Sequence, residues 1–97
     1  MLLVREGCPI CGFGNLGLRL CDDAVTVVVM CDECDAVWLD PRHLPSDAAL
    51  YPQPPRFEVL DGGPSVGRPG SRWAELHDAA RAGVSEYIVA RGKASDD

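Results

Sequence analysis

No run of 18 apolar residues occurs in this chain of 97, so no membrane span is expected. The opening Met-Leu-Leu-Val-Arg-Glu has neither a charged n-region nor a long apolar h-region. No signal peptide is therefore read, and a cytoplasmic setting is expected. Basic residues are scarce: nine Lys+Arg stand against fifteen Asp+Glu, a formal net charge of −6. Nucleic-acid affinity comes largely from clustered Lys and Arg, so a phosphate backbone is not the expected partner. Only two histidines are present, His43 and His77. No Ser-His-Asp set, Gly-rich phosphate loop or paired catalytic carboxylates stand out, and no enzymatic activity is expected. A chain this short buries only about 60–65% of its unfolded surface, so it needs a second source of stability.

The cysteines offer one. There are five, at Cys8, Cys11, Cys21, Cys31 and Cys34. Four form two C-x-x-C pairs, Cys8-Pro-Ile-Cys11 and Cys31-Asp-Glu-Cys34, with nineteen residues between them. This is the spacing of a tetrathiolate zinc site. Two intervening residues let one tight turn aim both sulfurs at a single metal. Gly12 follows the first pair, where the turn asks for positive φ. The matching residue after the second pair is Asp35, which reaches that region less easily than glycine. Two disulfides would suit a secreted chain but leave one cysteine over. A thioredoxin-like pair needs a βαβ context that is absent around Cys8. Mononuclear iron uses the same ligand set, and spacing alone does not separate it from zinc. Cys21 reads as a free thiol on a strand, facing away from Leu16, Leu18 and Leu20.

Residues 16–20 and 25–30 read as the two strands of an antiparallel hairpin, with a turn at Asp22-Asp23. Residues 25–30 are apolar on both faces, so one face is expected to pack on something beyond the hairpin. A third strand is expected at 36–39. Asp40-Pro41 looks like a helix start, with Asp as N-cap and Pro at the first helical position. Pro45 shortens that helix, which resumes around 46–50. In the segment 52–70, prolines and glycines fill nine of nineteen positions, which marks a linker or surface loop. Residues 56–60 form an island there, read as a short strand ending at Asp61-Gly62-Gly63. From Ser71, Trp73, Leu76, His77, Ala80, Val84, Tyr87 and Ile88 recur at three- and four-residue steps. This predicts an amphipathic helix capped by Ser71 and stopped by Gly92, with Gly83 inside it at a close backbone approach.

The expected architecture is a small α+β chain. A zinc ribbon with a short following helix fills 1–51: two C-x-x-C knuckles on an antiparallel β-hairpin. A Pro/Gly-rich linker or loop (52–70), a C-terminal helix docked on the ribbon or on a partner (71–92) and a disordered tail (93–97) follow. The run Cys8-Pro9-Ile10-Cys11-Gly12, the leucine-bearing hairpin, then Cys31-x-x-Cys34-x-x-Val37-Trp38-Leu39-Asp40 and Leu44 resembles the bacterial zinc ribbons of the transcription-factor-IIB-type zinc-finger family. The resemblance covers residues 6–46. It implies Cys8, Cys11, Cys31 and Cys34 as ligands of one structural Zn²⁺. Asp35-Ala36 stands where that family has Gly-Gly.

Four thiolates close the coordination sphere, so the metal's expected role is folding, not catalysis. Between residues 4 and 40, Arg5 and Arg19 oppose Glu6, Asp22, Asp23, Asp32, Glu33, Asp35 and Asp40, a balance of −5. Zn²⁺ with four thiolates deepens it by two. A basic protein surface is the partner such a field attracts. Trp38, Trp73, Leu76, Val84, Tyr87 and Ile88 are the candidate core or interaction anchors. The leading expectation is a protein-interaction module with a structural Cys₄ zinc site. A transcription-associated ribbon contacting polymerase or an accessory factor is the second. An acidic inhibitor or immunity-type protein that blocks a basic partner is the third.

Overall fold

Alternation fixes the centre of the molecule. In the computed structural model, which describes residues 1–67 and 69–91, β2 (Leu16–Leu20) pairs antiparallel with β3 (Val27–Cys31) along its whole length. Leu16, Leu18 and Leu20 point to one side with Val29 and Cys31. Val28 points to the other. β4 (Val37–Trp38) continues the sheet beyond β3 and splits its side chains the same way: Trp38 joins the first face and Val37 the second. A strand with period two and apolar residues at every position must be covered on both faces.

On the opposite edge of β2, β1 (Leu2–Arg5) pairs at Leu3↔Gly17 and Arg5↔Leu16. The edge left open beyond it is filled by β5 (Arg72–Trp73), through Arg19↔Trp73 and Leu20↔Arg72. β6 (Ala90–Arg91) then closes on the outer side of β1. β1 was not foreseen, because three apolar residues before Arg5 carry too little periodicity.

The first face is the main core: Leu2, Val4, the three β2 leucines, Val29, Cys31 and Trp38, with Ala74 and Ala79 above. Trp38 is 1% exposed, and its indole N–H donates to the Pro45 carbonyl at 2.8 Å. The second face is covered by the segment expected as a linker or loop. Val59 and Val66 pack there on Cys21, Val28 and Val37. A narrow turn brings them together: Glu58 and Ser65 form a single bridge, and the Val59 N–H donates to the Pro64 carbonyl at 2.9 Å. Asp22 anchors this turn to the hairpin. Its N–H donates to the Ser65 carbonyl at 2.9 Å, and its carboxylate accepts from the Ser65 N–H at 2.8 Å. The segment therefore supplies the covering that the doubly apolar β3 requires.

Two helices differ from expectation. At Asp40-Pro41 the cap chemistry forms, with the Asp40 carboxylate accepting from the Arg42 N–H at 2.9 Å, but the chain makes only a turn. Pro45 interrupts propagation, and a single 3₁₀ turn, Ser46–Ala48, follows.

The C-terminal helix is α1, Leu76–Ala82, not residues 71–92. Arg72 and Trp73 are drawn into the sheet by the open edge of β2. Glu75, not Ser71, is the N-cap. Gly83 takes the left-handed conformation (φ 75°) and ends the helix as its C-cap. It makes no close backbone approach, since a Cβ there would meet nothing within 4 Å. The buried helix face is Asp78 and Ala79, while Leu76, His77 and Ala80 are exposed. Val84, Tyr87 and Ile88 still pack on the core, but from the 3₁₀ turn Ser85–Tyr87 and the residues around it. Gly92 and the tail 93–97 lie outside the described residues.

Asp78 is 1% exposed and gathers the C-terminal half. Its carboxylate accepts from the Arg72 guanidinium (2.8 Å), the Glu75 N–H (2.8 Å) and Arg81 (3.3 Å). The Arg72 hydrogen bond, then that of the Glu75 N–H, hold the carboxyl below its usual range. A lowered carboxyl stabilises above the unfolded value near 3.9 and loses that contribution as pH falls through the folded one. Asp78→Asn should cost about 2 kcal/mol at pH 7. In urea titrations of the two proteins, the gap should narrow below about pH 4. A gap independent of pH would contradict the assignment.

Candidate metal centre

The hairpin brings the two C-x-x-C turns to one end of the sheet. Cys8 and Cys11 lie in the loop between β1 and β2. Cys31 ends β3, and Cys34 sits in the turn that leads to β4. All four sulfurs lie within 4.8 Å of one another. Cys8 Sγ is 3.7 Å from Cys34 Sγ, and Cys11 Sγ is 3.7 Å from Cys31 Sγ. A disulfide would need about 2.05 Å. A tetrahedron with Zn–S near 2.3 Å has edges of about 3.8 Å. Both 3.7 Å separations match the second figure, and each runs across the two turns rather than within one. Among the described residues this is the group of His, Cys, Asp and Glu side chains placed to hold a metal.

The turns are built to receive charge on sulfur. Cys8 accepts from the Ile10 N–H at 3.3 Å, and Cys11 from the Gly14 N–H at 3.4 Å. Cys31 accepts from the N–H groups of Glu33 and Cys34 at 3.4 and 3.5 Å. The N–H groups of Gly14 and Phe13 lower the Cys11 thiol to about 7. Burial pushes Cys31 up to about 12 and raises Cys34. Four thiolates this close need a cation between them, because a buried charge is costly unless paired. The donor set therefore suits one metal ion, and a four-sulfur shell leaves no open coordination position.

Both turns reach the left-handed region, at Gly12 (φ 73°) and Asp35 (φ 63°). The most constrained residue was not singled out from sequence. At Gly14 a Cβ would lie 2.5 Å from Cys31 Sγ and 2.7 Å from an Asp32 carboxylate oxygen. Gly14→Ala should weaken metal binding about tenfold or more, in the range of disturbed outer-shell contacts. Competition with a chromophoric chelator measures this; an unchanged affinity would contradict the packing. The signal was visible as the second glycine of Cys11-Gly-Phe-Gly14.

Cys21 is separate from the cluster. It is fully buried against Val28, Val37, Val59 and Val66 on the second face. Burial, with Asp23 and Asp22 nearby, pushes its thiol up to about 12. His43 and His77 are both exposed. Of the candidate anchors, Trp38 is core. Trp73 is half-buried under the Arg19 guanidinium, which lies 5.1 Å from its ring centroid. Leu76 is exposed, and Val84, Tyr87 and Ile88 are partly buried. No helix among the described residues is long and apolar enough to cross a membrane.

Comparison with known proteins adds little beyond this geometry. No family model matches the chain. It is similar to "Uncharacterized protein L48" of Acanthamoeba polyphaga mimivirus, 38% identical over 40 residues. That alignment covers 38% of this chain and 33% of the viral protein, so the chain matches about a third of that protein's length. No solved structure matches.

Proposed function

We propose that this chain is a zinc ribbon whose metal is structural, and that it works as a non-enzymatic protein-interaction module. The observation that carries the reading is the cluster of four sulfurs, two of whose cross-turn edges equal those of a zinc tetrathiolate. A closed shell offers no water to activate and no position for substrate, so the metal's contribution is folding energy. The resemblance of residues 6–46 to transcription-factor-IIB-type ribbons supports the same assignment. The charge of the ribbon, −5 before the metal site is counted, supports a partner with a basic surface.

The test joins metal to fold and charge to binding. The purified chain should carry one zinc, and stripping it with a strong chelator should unfold the sheet in step with release. Proteins retained by the immobilised zinc form at low salt should be basic, and should elute as the Debye length shrinks. Retention of nucleic acid, or a turnover abolished by changing a polar residue other than cysteine, would overturn the reading.

A further inference from the structure

The side chain of Phe13, in the loop that follows Cys11, belongs to neither core cluster. Phe13 is 86% exposed, the most of any large hydrophobic side chain among the described residues. It stands between Gly12, which turns the chain at positive φ, and Gly14, which has no room for a side chain against Cys31. The N–H groups on either side of Phe13 are both tied to the first cysteine pair: Gly14 donates to Cys11 Sγ at 3.4 Å, and Gly12 donates to the Cys8 carbonyl at 3.0 Å. The loop backbone is thus tied to the metal ligands while its one large side chain projects into solvent. The tethered backbone has little further freedom to lose when this aromatic inserts into a pocket, which is the profile of an interface anchor.

The surroundings define what such a pocket must look like. Gly14, next to Phe13 in the loop, lies against the Asp32 carboxylate and the Cβ of Glu33, so two acidic residues flank the loop that carries the ring. The Asp32 carboxylate is fixed by the Asn15 N–H at 2.9 Å, and Asn15 in turn accepts from the Gly7 N–H at 3.0 Å, next to Glu6. The two segments that build this end, residues 6–18 and 20–41, contain no Lys or Arg. A base stacked on Phe13 would bring its phosphates against these carboxylates, so single-stranded nucleic acid is disfavoured even though an exposed aromatic is what stacking requires.

We propose that Phe13, with the acidic pair Asp32 and Glu33 against the adjoining Gly14, is the docking surface for a protein that presents an apolar socket bordered by Lys or Arg. The proposal rests on the ribbon reading and adds to it the place and chemistry of contact. The aromatic supplies depth, and the carboxylates supply orientation and association rate.

The test uses the isotope-labelled, zinc-loaded full chain. Zinc content and the dispersion of the amide spectrum are recorded first; less than one zinc, or a collapsed spectrum, would overturn the ribbon reading and this proposal with it. The protein is then titrated with a lysine-rich peptide carrying one central leucine, with the same peptide carrying glycine there, and with single-stranded oligothymidylate. The leucine peptide should shift residues 12–15 and 32–36 and bind more tightly than the glycine peptide. Phe13→Ala should lower its affinity about tenfold, with zinc content and thermal midpoint unchanged. Asp32→Asn with Glu33→Gln should remove most of the salt dependence. Equal binding by wild type and Phe13→Ala, shifts confined to other acidic sites, tighter binding of the oligonucleotide, or no binding of any probe would overturn it.

Discussion

Cys31→Ser should leave the chain without stoichiometric zinc and without a dispersed amide spectrum at neutral pH. Cys31 is fully buried and stands where three demands meet. It closes β3 opposite Leu16, its N–H donates to the Ala36 carbonyl at 2.9 Å, and its sulfur faces that of Cys11 at 3.7 Å. Serine keeps the backbone bonds and removes the soft, ionisable ligand. Structural zinc contributes about 10–16 kcal/mol of apparent folding energy in small metal-dependent domains. A chain of this length has about 5–15 kcal/mol of net stability in all. Loss of the metal is therefore expected to exceed what the sheet retains. Cys21→Ala is the control: it should keep one zinc and lose about 1–2 kcal/mol, since the change trims one small buried side chain on the other face. Retention of zinc and of the wild-type melting temperature by Cys31→Ser would contradict the assignment.

Trp38→Ala should be the most damaging change outside the cysteines, at about 3–5 kcal/mol. The indole is the largest fully buried side chain. It lies between β3, whose Val29 pairs with it, and the chain returning at Pro45. Removing it opens a cavity in the main core and leaves the Pro45 carbonyl without its 2.8 Å donor. Trp38→Phe should cost less, about 1–2 kcal/mol, because most of the apolar contact remains. Trp73→Ala should cost about 1 kcal/mol, because that ring is only half-buried and the Arg19 guanidinium over it keeps its hydrogen bonds to the Val66 carbonyl and Ser71 Oγ. Urea midpoints of the zinc-loaded variants at constant slope give the order. A Trp73→Ala loss as large as that of Trp38→Ala would show that the core had been misplaced.

What could be read in advance is what local chemistry decides. The spacing of the cysteine pairs located the cluster, because two residues between ligands is a property of one turn. The alternation in residues 16–20 set Leu16, Leu18 and Leu20 on one face, and the run at 25–30, apolar on both faces, announced a second covering layer. It did not say which segment would provide that layer. Val59 and Val66 lie seven residues apart in a Pro/Gly-rich stretch and become core only through the bonds of Ser65 to Asp22.

The C-terminal stripe misled for a related reason. Apolar residues at three- and four-residue steps from Trp73 to Ile88 satisfy a helix, but the steps do not reveal that β1 stops short on β2 and leaves an edge for Arg72 and Trp73. Nor does a stripe of apolar residues point to Asp78, a charged residue that is buried because Arg72 and Arg81 reach it from a strand and from the end of α1. Phe13 and Gly14 were legible only as spacing beside Cys11. Their meaning depends on the second turn lying against the first.

Zinc-edge X-ray absorption on the protein as purified decides whether the four cysteines hold a tetrathiolate zinc. One zinc per chain is expected, with four sulfur neighbours near 2.3 Å and no nitrogen or oxygen bound to the metal. A shell of three sulfurs with a light-atom ligand, or a folded chain with no metal and four freely reactive thiols in the two C-x-x-C turns, would contradict it.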